Sequence, residues 1–376
     1  MIYLDYSATT KTDPRVLDTF IKVTNDYLGN PNSLHKLGME SKKLIDASTK
    51  QIAKILDVKE TEIIYTSGAT ESNNTAIFGI IEKYKQRNKR IISTYLEHSS
   101  IIEGLNYLEK QGYEIDYVKL KENGAIDLED LKEKLKNEPV LVTIASVNSE
   151  IGIHQDLKEI YQTIKEISPK TIFHSDITQS IGKVRENLEY LDLASMSAQK
   201  FYGLKGIGIL VKKDNIELEP IIKGGKSTTK YRSGTPSPAL IASIAKALRL
   251  ITENMDNNYS YVKELNSYLK DKLKQILTIH INSTDISIPH ILNISIENIK
   301  PETILHALEQ EEIYISTKTA CSSKNNMSLA VYELTKNSDL ANTSIRISIS
   351  KDTTKKELDI FFDTLVDKIN SLSQFR

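Results

Sequence analysis

Short apolar segments alternate with helical patterns along residues 62 to 212, and this alternation constrains the fold more than any other feature of the chain. Apolar runs at 63–65, 140–145 and 171–174 are typical of buried strands, and amphipathic stretches separate them. The alternation predicts an α/β fold with a mainly parallel sheet and helices on both of its faces. Because ligands of such sheets bind beyond the carboxyl ends of the strands, side chains at those ends are the candidate site.

The length and the later pattern predict a second, smaller unit. The chain has 376 residues, of which 39% are hydrophobic and 26% charged, as in ordinary globular proteins. After a polar loop at 223–238, a long helical pattern bridges to a region of mixed helices and strands. We therefore expect a large domain over residues 15–251 and a smaller α+β domain formed by residues 1–14 and 252–376.

Charge and hydropathy exclude several classes of partner. The formal net charge of −1 creates no field that would attract nucleic acid directly. No apolar run approaches the roughly 20 residues that span a bilayer, and the opening MIYLDYSATT lacks the pattern of a signal peptide. We expect a cytoplasmic protein without membrane contact. A single cysteine, Cys321, excludes an intrachain disulfide and a cysteine-based metal cluster, and no metal site is expected.

Lys200 lies in SAQKFYG, between two apolar runs that predict short buried strands. A lysine in so tight a connection is partly desolvated, which lowers the pKa of its amine and favours a Schiff base with a carbonyl cofactor. A solvated loop lysine is the simpler alternative for this residue alone. The functional interpretation of Lys200 is strengthened because other polar residues also lie at or just after predicted strand ends, namely Thr70, His98, Asn148, Asp176 and Gln179.

These side chains match the needs of pyridoxal 5′-phosphate (PLP), which are a lysine amine, an anion cradle, a carboxylate and a ring-stacking group. Small and hydroxyl residues at 67–70 precede a helical pattern, and the N-terminus of such a helix binds phosphate. Asp176 can keep the pyridine nitrogen protonated, His98 can stack on the ring and move protons, and Gln179 can donate to the ring oxygen. Taken alone, the residues at 67–70 could simply cap a helix, and Asp176 could simply belong to a turn. Taken together, these residues favour PLP binding.

Cys321 adds a chemistry that PLP binding alone does not need. A lone thiol is usually a buried structural residue, but this one lies in a loop rich in Ser, Thr, Lys and Asn. Neighbouring Lys318 and Lys324 would favour the thiolate. A nucleophilic thiol on such a loop is suited to attack a substrate sulfur and deliver it elsewhere.

Matching stretches run through nearly the whole chain and resemble the NifS/IscS-like cysteine desulfurases of the class V aminotransferase superfamily. As they stand here, the stretches are YLDYSATT, GNPNSLH, TSGATESNN, EHSS, VNSEIG, HSDITQSIGK, SAQKFYG, RSGT and TAC. The resemblance implies a PLP-dependent transferase of the aspartate aminotransferase type (fold type I). It also implies that the protein removes sulfur from L-cysteine, leaves L-alanine and holds the sulfur as a persulfide.

The resemblance also implies roles for individual residues. Lys200 would form the Schiff base, Cys321 would carry the persulfide, and His98 would act on the ring. Arg346 would clamp the substrate carboxylate, to which guanidinium binds bidentately, beside an Asn148 contact. The phosphate would be held by Ala69, Thr70, Ser197 and Gln199, and by Thr235 of a second subunit in a homodimer.

Two departures from the family pattern keep alternatives open. Gln199 stands where the family usually has histidine, and Ser149 replaces the second of two asparagines. An amide can still donate to phosphate but carries no proton. The sulfur acceptor would be an iron–sulfur scaffold or a tRNA-thiolation protein. The alternatives are a related PLP lyase acting on selenocysteine or another sulfur amino acid, and a persulfide-relay or assembly partner with weakened catalysis.

Overall fold

The computed structural model describes residues 1–225, 227–317 and 327–374. The elements before the central sheet are β1 (Ile2–Tyr3), α1 (Pro14–Asp26) and α2 (Lys36–Leu56). The side chain of Asp13 caps α1, and Pro14 occupies its first turn, because proline lacks the N–H that would have no partner there. The ring of His35 caps α2 by accepting a hydrogen bond from the Gly38 N–H at 3.3 Å.

Strands and helices then alternate as the sequence predicts. In chain order they are β2 (Ile63–Thr66), α3 (Ala69–Lys83), β3 (Arg90–Ser93), α4 (Ser99–Lys110), β4 (Glu114–Tyr117), α5 (Leu128–Leu135), β5 (Leu141–Thr143), α6 (Leu157–Ile167), β6 (Ile172–Asp176), β7 (Leu193–Ser197) and β8 (Gly208–Lys212). The strands form one seven-stranded sheet in the order β2-β8-β7-β6-β5-β3-β4. Only β8 runs antiparallel to its neighbours among these described strands, so the carboxyl ends of the others meet at one edge.

Apolar side chains cover both faces of this sheet. Ile209 on β8 packs in one cluster with Phe173 and Met196, whereas its neighbour Leu210 packs in the opposite cluster with Leu141. This alternation follows from the strand, in which successive side chains point to opposite faces. Burial on both faces explains why the strands read as continuous apolar runs, and the predicted mainly parallel α/β architecture is confirmed.

The remaining elements follow β8. They are α7 (Pro238–Glu253), α8 (Met255–Leu273), β9 (Ile279–Ile281), β10 (Ile291–Ile296), α9 (Pro301–Glu309), β11 (Ile313–Tyr314), α10 (Leu329–Thr335), α11 (Ser338–Asn342), β12 (Ser344–Ser348) and α12 (Lys355–Gln374). Most of them build a second core, whereas α7 packs against the central sheet and α10 and α11 pack in a smaller cluster with Ile151. The three-stranded antiparallel sheet has the order β12-β10-β9, and β1 pairs with β11 in parallel. Its apolar cluster includes Ile2 and Leu4 together with Ile345 and Phe361.

Residues near the N-terminus lie in the same apolar cluster as residues of the later elements. The division into a large domain of residues 15–251 and a small domain of residues 1–14 and 252–376 stays a prediction. Among the helices of the described ranges, none has the length and apolar character needed to cross a membrane. The same ranges contain no group of three or more His, Cys, Asp or Glu side chains that could hold a metal ion.

Candidate active site

A cavity of about 240 Å³ lies at the edge of the central sheet where the parallel strands end. Side chains from five separate parts of the chain line it because the sheet brings their strand ends together. Cys321 lies outside the described residues, and Asn148, Thr235 and Arg346 do not line the cavity. The lining includes these predicted site residues: Ala69, Thr70, His98, Asp176, Gln179, Ser197, Gln199 and Lys200.

Lys200 reaches the cavity from the connection between β7 and β8. A single 3-10 turn, Ala198–Lys200, follows β7 directly, so the lysine stands just beyond the end of that strand. Its Nζ donates to the carbonyl oxygens of Ser7 at 2.6 Å and Ala8 at 2.7 Å. The amine is thus held at the wall of the cavity by the segment that follows β1.

The N-terminus of α3 forms a cradle suited to an anion. Its first N–H groups have no partner within the helix, and the preceding Gly68 has φ of +154°, which disfavours other residues. A Cβ at Gly68 would also approach the Ser197 hydroxyl to 3.5 Å. The acidic Glu71 in the first turn is paired with Arg232 at 2.9 Å, which offsets its repulsion of an anion.

Hydrogen bonds hold the side chains of Asp176 and Gln179 in place at the cavity wall. The two carboxylate oxygens of Asp176 accept from the Thr178 N–H at 2.9 Å and from Asn73 Nδ2 at 2.8 Å. Gln179 donates from Nε2 to the Ser7 carbonyl at 2.9 Å, and its Oε1 accepts from Lys183 Nζ at 2.8 Å. Because the half-buried Lys183 donates to Oε1, the Nε2 end of the Gln179 amide carries its hydrogen-bond donors.

Burial shifts the pKa of several groups near this cavity. Burial, reinforced by the charges of Lys200 and Arg346, lowers the pKa of Lys183 to about 7. Burial also lowers the pKa of His98, whose ring caps α4. Glu97 is buried, and burial raises its pKa to about 8 although the Ala145 N–H and the Thr94 hydroxyl donate to it. This shift favours the protonated form of Glu97 in neutral solution.

Arg346 on β12 is buried close to this region and already has partners. Its Nη2 pairs with Asp5 at 2.7 Å and its Nη1 donates to the Ser149 carbonyl at 2.9 Å. Its Nε has no hydrogen-bond partner in the described part of the chain. A buried donor without a partner is costly, and this N–H is left unsatisfied among the described residues.

The side chain of Asn148 forms hydrogen bonds within its own turn and to the neighbouring Leu96 carbonyl. Its Oδ1 accepts from the N–H groups of Glu150 and Ile151, and its Nδ2 donates to the Leu96 carbonyl at 2.8 Å. These bonds hold the VNSEIG segment against the cavity wall, which Ser149 rather than Asn148 lines. A direct contact of Asn148 with substrate stays a prediction.

Sequence reasoning missed the residues that hold the expected ones in place. Asn73 and Ser100 stand in the quoted motifs TESNN and EHSS, and Asp5 in YLDYSATT, yet none was given a role. Their partners lie far away in the chain, and Asn73 contacts Asp176 across 103 positions. Only the recurrence of polar residues next to strand ends could have indicated them.

His174 is a fully buried titratable group on β6. Its ring nitrogens lie 2.8 Å from the Thr143 hydroxyl and 2.9 Å from the Ser195 hydroxyl, inside the sheet. Burial lowers the pKa of His174 from the usual 6.5 for histidine to about 4. Between pH 4 and pH 6.5, His174 is protonated in the unfolded chain but remains neutral in the folded chain.

We therefore expect thermal stability to fall as the pH is lowered from 6.5 towards 4. The folded-state pKa is depressed, so the contribution of neutral His174 is present above pH 6.5 and is lost on acidification. Calorimetry across this range should show a smaller slope for His174→Gln, by about one proton. Equal slopes in wild type and His174→Gln would contradict this assignment.

Comparison with known proteins places this geometry in a family. The chain is 39% identical, over 100% of both chains, to a NifS/IcsS protein homolog of Lactobacillus delbrueckii subsp. bulgaricus. It is 37% identical to the cysteine desulfurase IscS of Vibrio cholerae, covering 99% of this chain and 94% of the relative. A solved structure of a NifS-like protein superposes with a TM-score of 0.92 at 32% identity, covering 100% of both chains.

These similarities extend over the central sheet, the cavity and the second core, and they confirm the resemblance seen in the motifs. The model of the family described as aminotransferase class-V matches residues 2–361, which include every described residue that lines the cavity. The chain belongs to the aminotransferase class-V family.

Proposed function

We propose that this protein is a PLP-dependent cysteine desulfurase that takes sulfur from L-cysteine and releases L-alanine. The observation that carries the proposal is the convergence of Lys200, Asp176, His98 and the α3 cradle on one cavity. Relatives that match nearly the full chain are named cysteine desulfurases, which supports the same reaction. The cytoplasmic location and the absence of membrane or direct nucleic-acid contact expected above are parts of this proposal.

The residues around the cavity fit PLP in kind and in arrangement. The N–H groups at the start of α3, with Ala69, Thr70, Ser197 and Gln199, would hold the phosphate. Asp176 would face the ring nitrogen, and its two hydrogen bonds keep the carboxylate in place. When bound, PLP supplies the electron sink that makes bonds next to the amino-acid carbon breakable.

Lys200 would bind the cofactor and move protons at its Nζ. The carbonyl oxygens of Ser7 and Ala8 orient this amine before any ligand arrives. Gln179 would donate from Nε2 to the ring oxygen, because Lys183 holds its other end. These groups are preorganised, so little reorganisation is needed when substrate enters.

Arg346 would recognise the carboxylate of the substrate. Its Nε is the donor without a partner among the described residues, while Asp5 and the Ser149 carbonyl hold the two terminal nitrogens. A carboxylate at Nε would complete the hydrogen bonding of the guanidinium. The partners of Arg346 thereby fix the orientation in which the amino acid binds.

Cys321 would receive the sulfur. The carbon–sulfur bond of L-cysteine breaks, a sulfur–sulfur bond forms at Cys321, and the former sulfur-bearing carbon takes a proton to give alanine. The carbon is reduced and the sulfur oxidised, so no further redox partner is needed. Of the described residues on either side, Ser316 forms a β-bridge with Arg346, and the Ser328 hydroxyl donates to Glu150 at 2.6 Å.

The proposal is tested by incubating the purified chain with PLP and L-cysteine. We expect the absorption band of protein-bound PLP, alanine, and an equal amount of sulfide when a reductant is present. Alanine formed from L-selenocysteine but not from L-cysteine would favour the related lyase. Absence of bound PLP would favour a relay partner instead. Capture of iron–sulfur scaffold or tRNA-thiolation proteins would identify the sulfur acceptor.

A homodimer is part of the same proposal. Large apolar side chains near α1 and α2 are open to solvent in the single chain, with Leu28 87% and Leu34 93% exposed. Thr235 is also exposed, as a residue that reaches the cavity of a second subunit must be. An exposed cluster of this kind is typical of an interface between subunits.

We expect Leu34→Asp to shift the protein from dimer to monomer, because the substitution would bury a carboxylate in the interface. Sedimentation velocity at several concentrations measures the change. The matched control is Leu277→Asp, since Leu277 is 97% exposed in the turn between α8 and β9. A wild-type chain that sediments as a monomer would refute the homodimer.

A further inference from the structure

A chain of hydrogen bonds joins His98 to Asp176 through two side chains that have no assigned role. Asn73 Nδ2 lies 2.8 Å from Asp176 Oδ2 and 2.9 Å from Ser100 Oγ. Ser100 Oγ lies 2.9 Å from His98 Nδ1. Within the described structure, neither Asn73 nor Ser100 lines the cavity, whereas His98 and Asp176 both do. The chain therefore lies behind the two side chains that would contact the cofactor.

The direction of each hydrogen bond follows from its partners. The Asp176 carboxylate only accepts, so the amide nitrogen of Asn73 must face it, and the reverse orientation would place two oxygens together. The second hydrogen of the same nitrogen is then donated to Ser100 Oγ. Because that oxygen accepts from Asn73, its own hydrogen is available for His98 Nδ1.

A backbone donor reaches the same ring nitrogen. The Ser100 N–H lies 3.1 Å from His98 Nδ1, because His98 is the N-cap residue of α4. Nδ1 thus accepts from two donors and stands at the positive end of the helix dipole. A nitrogen in this position carries its lone pair, so the hydrogen of the neutral ring is on Nε2.

We infer that Asn73 and Ser100 are positioning residues that hold His98 as the neutral Nε2–H tautomer. The ring can then stack on a cofactor and donate from Nε2, but it cannot act as a base in the resting enzyme. The assignment of the hydrogens depends only on the protein; its use in catalysis rests on the proposed function.

The charged groups around His98 shift its pKa in opposite directions. Burial is the largest effect and lowers its pKa; Lys200 and Arg346 lower it further, whereas Asp176 and Glu150 raise it. Protonation at Nδ1 would also place its new N–H against the Ser100 N–H, and the Ser100 hydroxyl would have to turn from donor to acceptor. The neutral form is therefore favoured, and proton abstraction falls to the amine of Lys200.

The tautomer can be measured directly by nitrogen NMR of the PLP-loaded protein with labelled histidine. The seven histidines are resolved by comparison with His98→Gln. We expect wild-type His98 to show an unprotonated Nδ1 and a protonated Nε2, without titration above pH 6.5. In Ser100→Ala, a second tautomer should appear and the titration midpoint should rise by about half to one pH unit, the value of one hydrogen bond.

Two further variants separate positioning from a general structural effect. Ser100→Thr keeps the hydroxyl and should restore the wild-type spectrum. Ser99→Ala removes a neighbouring hydroxyl that makes no side-chain hydrogen bond within the described residues, and it should change nothing. In the pH profile of kcat/KM, only Ser100→Ala should gain a histidine limb, at the raised titration midpoint of His98.

A protonated Nδ1 in wild type, or a Ser100→Ala spectrum identical to wild type, would overturn the inference. Failure of the proposed function would appear differently. It would show as missing PLP absorption or missing alanine, while the ring signals of His98 would still report its tautomer.

Discussion

Lys200→Ala is expected to abolish alanine formation from L-cysteine, with a loss on the order of 10³-fold or more. The substitution removes the only lysine amine among the described residues that line the cavity, and with it the group that would bind the cofactor covalently. The fold should persist because Lys200 lies in a connection after β7 and not in the apolar core. Turnover, PLP absorption and the thermal midpoint are measured on the same preparation.

Chemical trapping gives an independent result for the same residue. Borohydride treatment of the PLP-loaded protein should attach the cofactor permanently to the peptide that contains Lys200. Lys205→Ala is the matched control, because Lys205 is an exposed lysine of the same connection and should leave activity and trapping unchanged. Cofactor found on another peptide would show that the assignment of Lys200 is wrong.

Cys321→Ser should eliminate persulfide and almost all alanine while PLP binding persists. The cavity residues are unchanged in this variant, so cofactor and L-cysteine should still bind. A serine hydroxyl cannot take up sulfur in the way a thiolate does. Because an ordinary thiol with a pKa of about 8.5 is only a few per cent ionised at neutral pH, activation by the neighbouring lysines is part of this expectation.

Intact-mass analysis reads the result without ambiguity, since Cys321 is the only cysteine in the chain. Wild type treated with L-cysteine should gain the mass of one sulfur atom, which a reductant removes. Ser322→Ala changes the adjacent hydroxyl and should behave as wild type. If Cys321→Ser formed alanine at the full rate, the enzyme would act by direct elimination and not by sulfur transfer to a thiol.

The central sheet and the main cavity residues could be predicted because both depend on local patterns. Apolar runs and helical spacing mark the strands and helices, and the ends of parallel strands meet at one edge. Asp176 ends β6, and Lys200 and His98 come shortly after β7 and β3, so their proximity required no knowledge of side-chain contacts. The antiparallel direction of β8 was not predicted, because nothing in its apolar run specifies direction.

The supporting contacts could not be predicted, because they depend on the three-dimensional register of distant segments. Asn73 meets Ser100 only because α3 and the start of α4 lie side by side at the cavity. Asn148 was expected to contact substrate, but a turn asparagine cannot be distinguished by sequence from one that faces a ligand. Its three hydrogen bonds within and beside the turn became visible only in the structure.

The ion pair between Asp5 and Arg346 has a consequence for biosynthesis. The two residues are 341 positions apart, so their contact cannot exist until translation has passed residue 346. The segment that carries Asp5 also supplies the carbonyl oxygens that orient Lys200. A nascent chain can complete its central sheet after residue 212, yet it still lacks Arg346 and the core around β1. All residues that line the cavity are therefore synthesised well before the Asp5–Arg346 pair and the core around β1 can form.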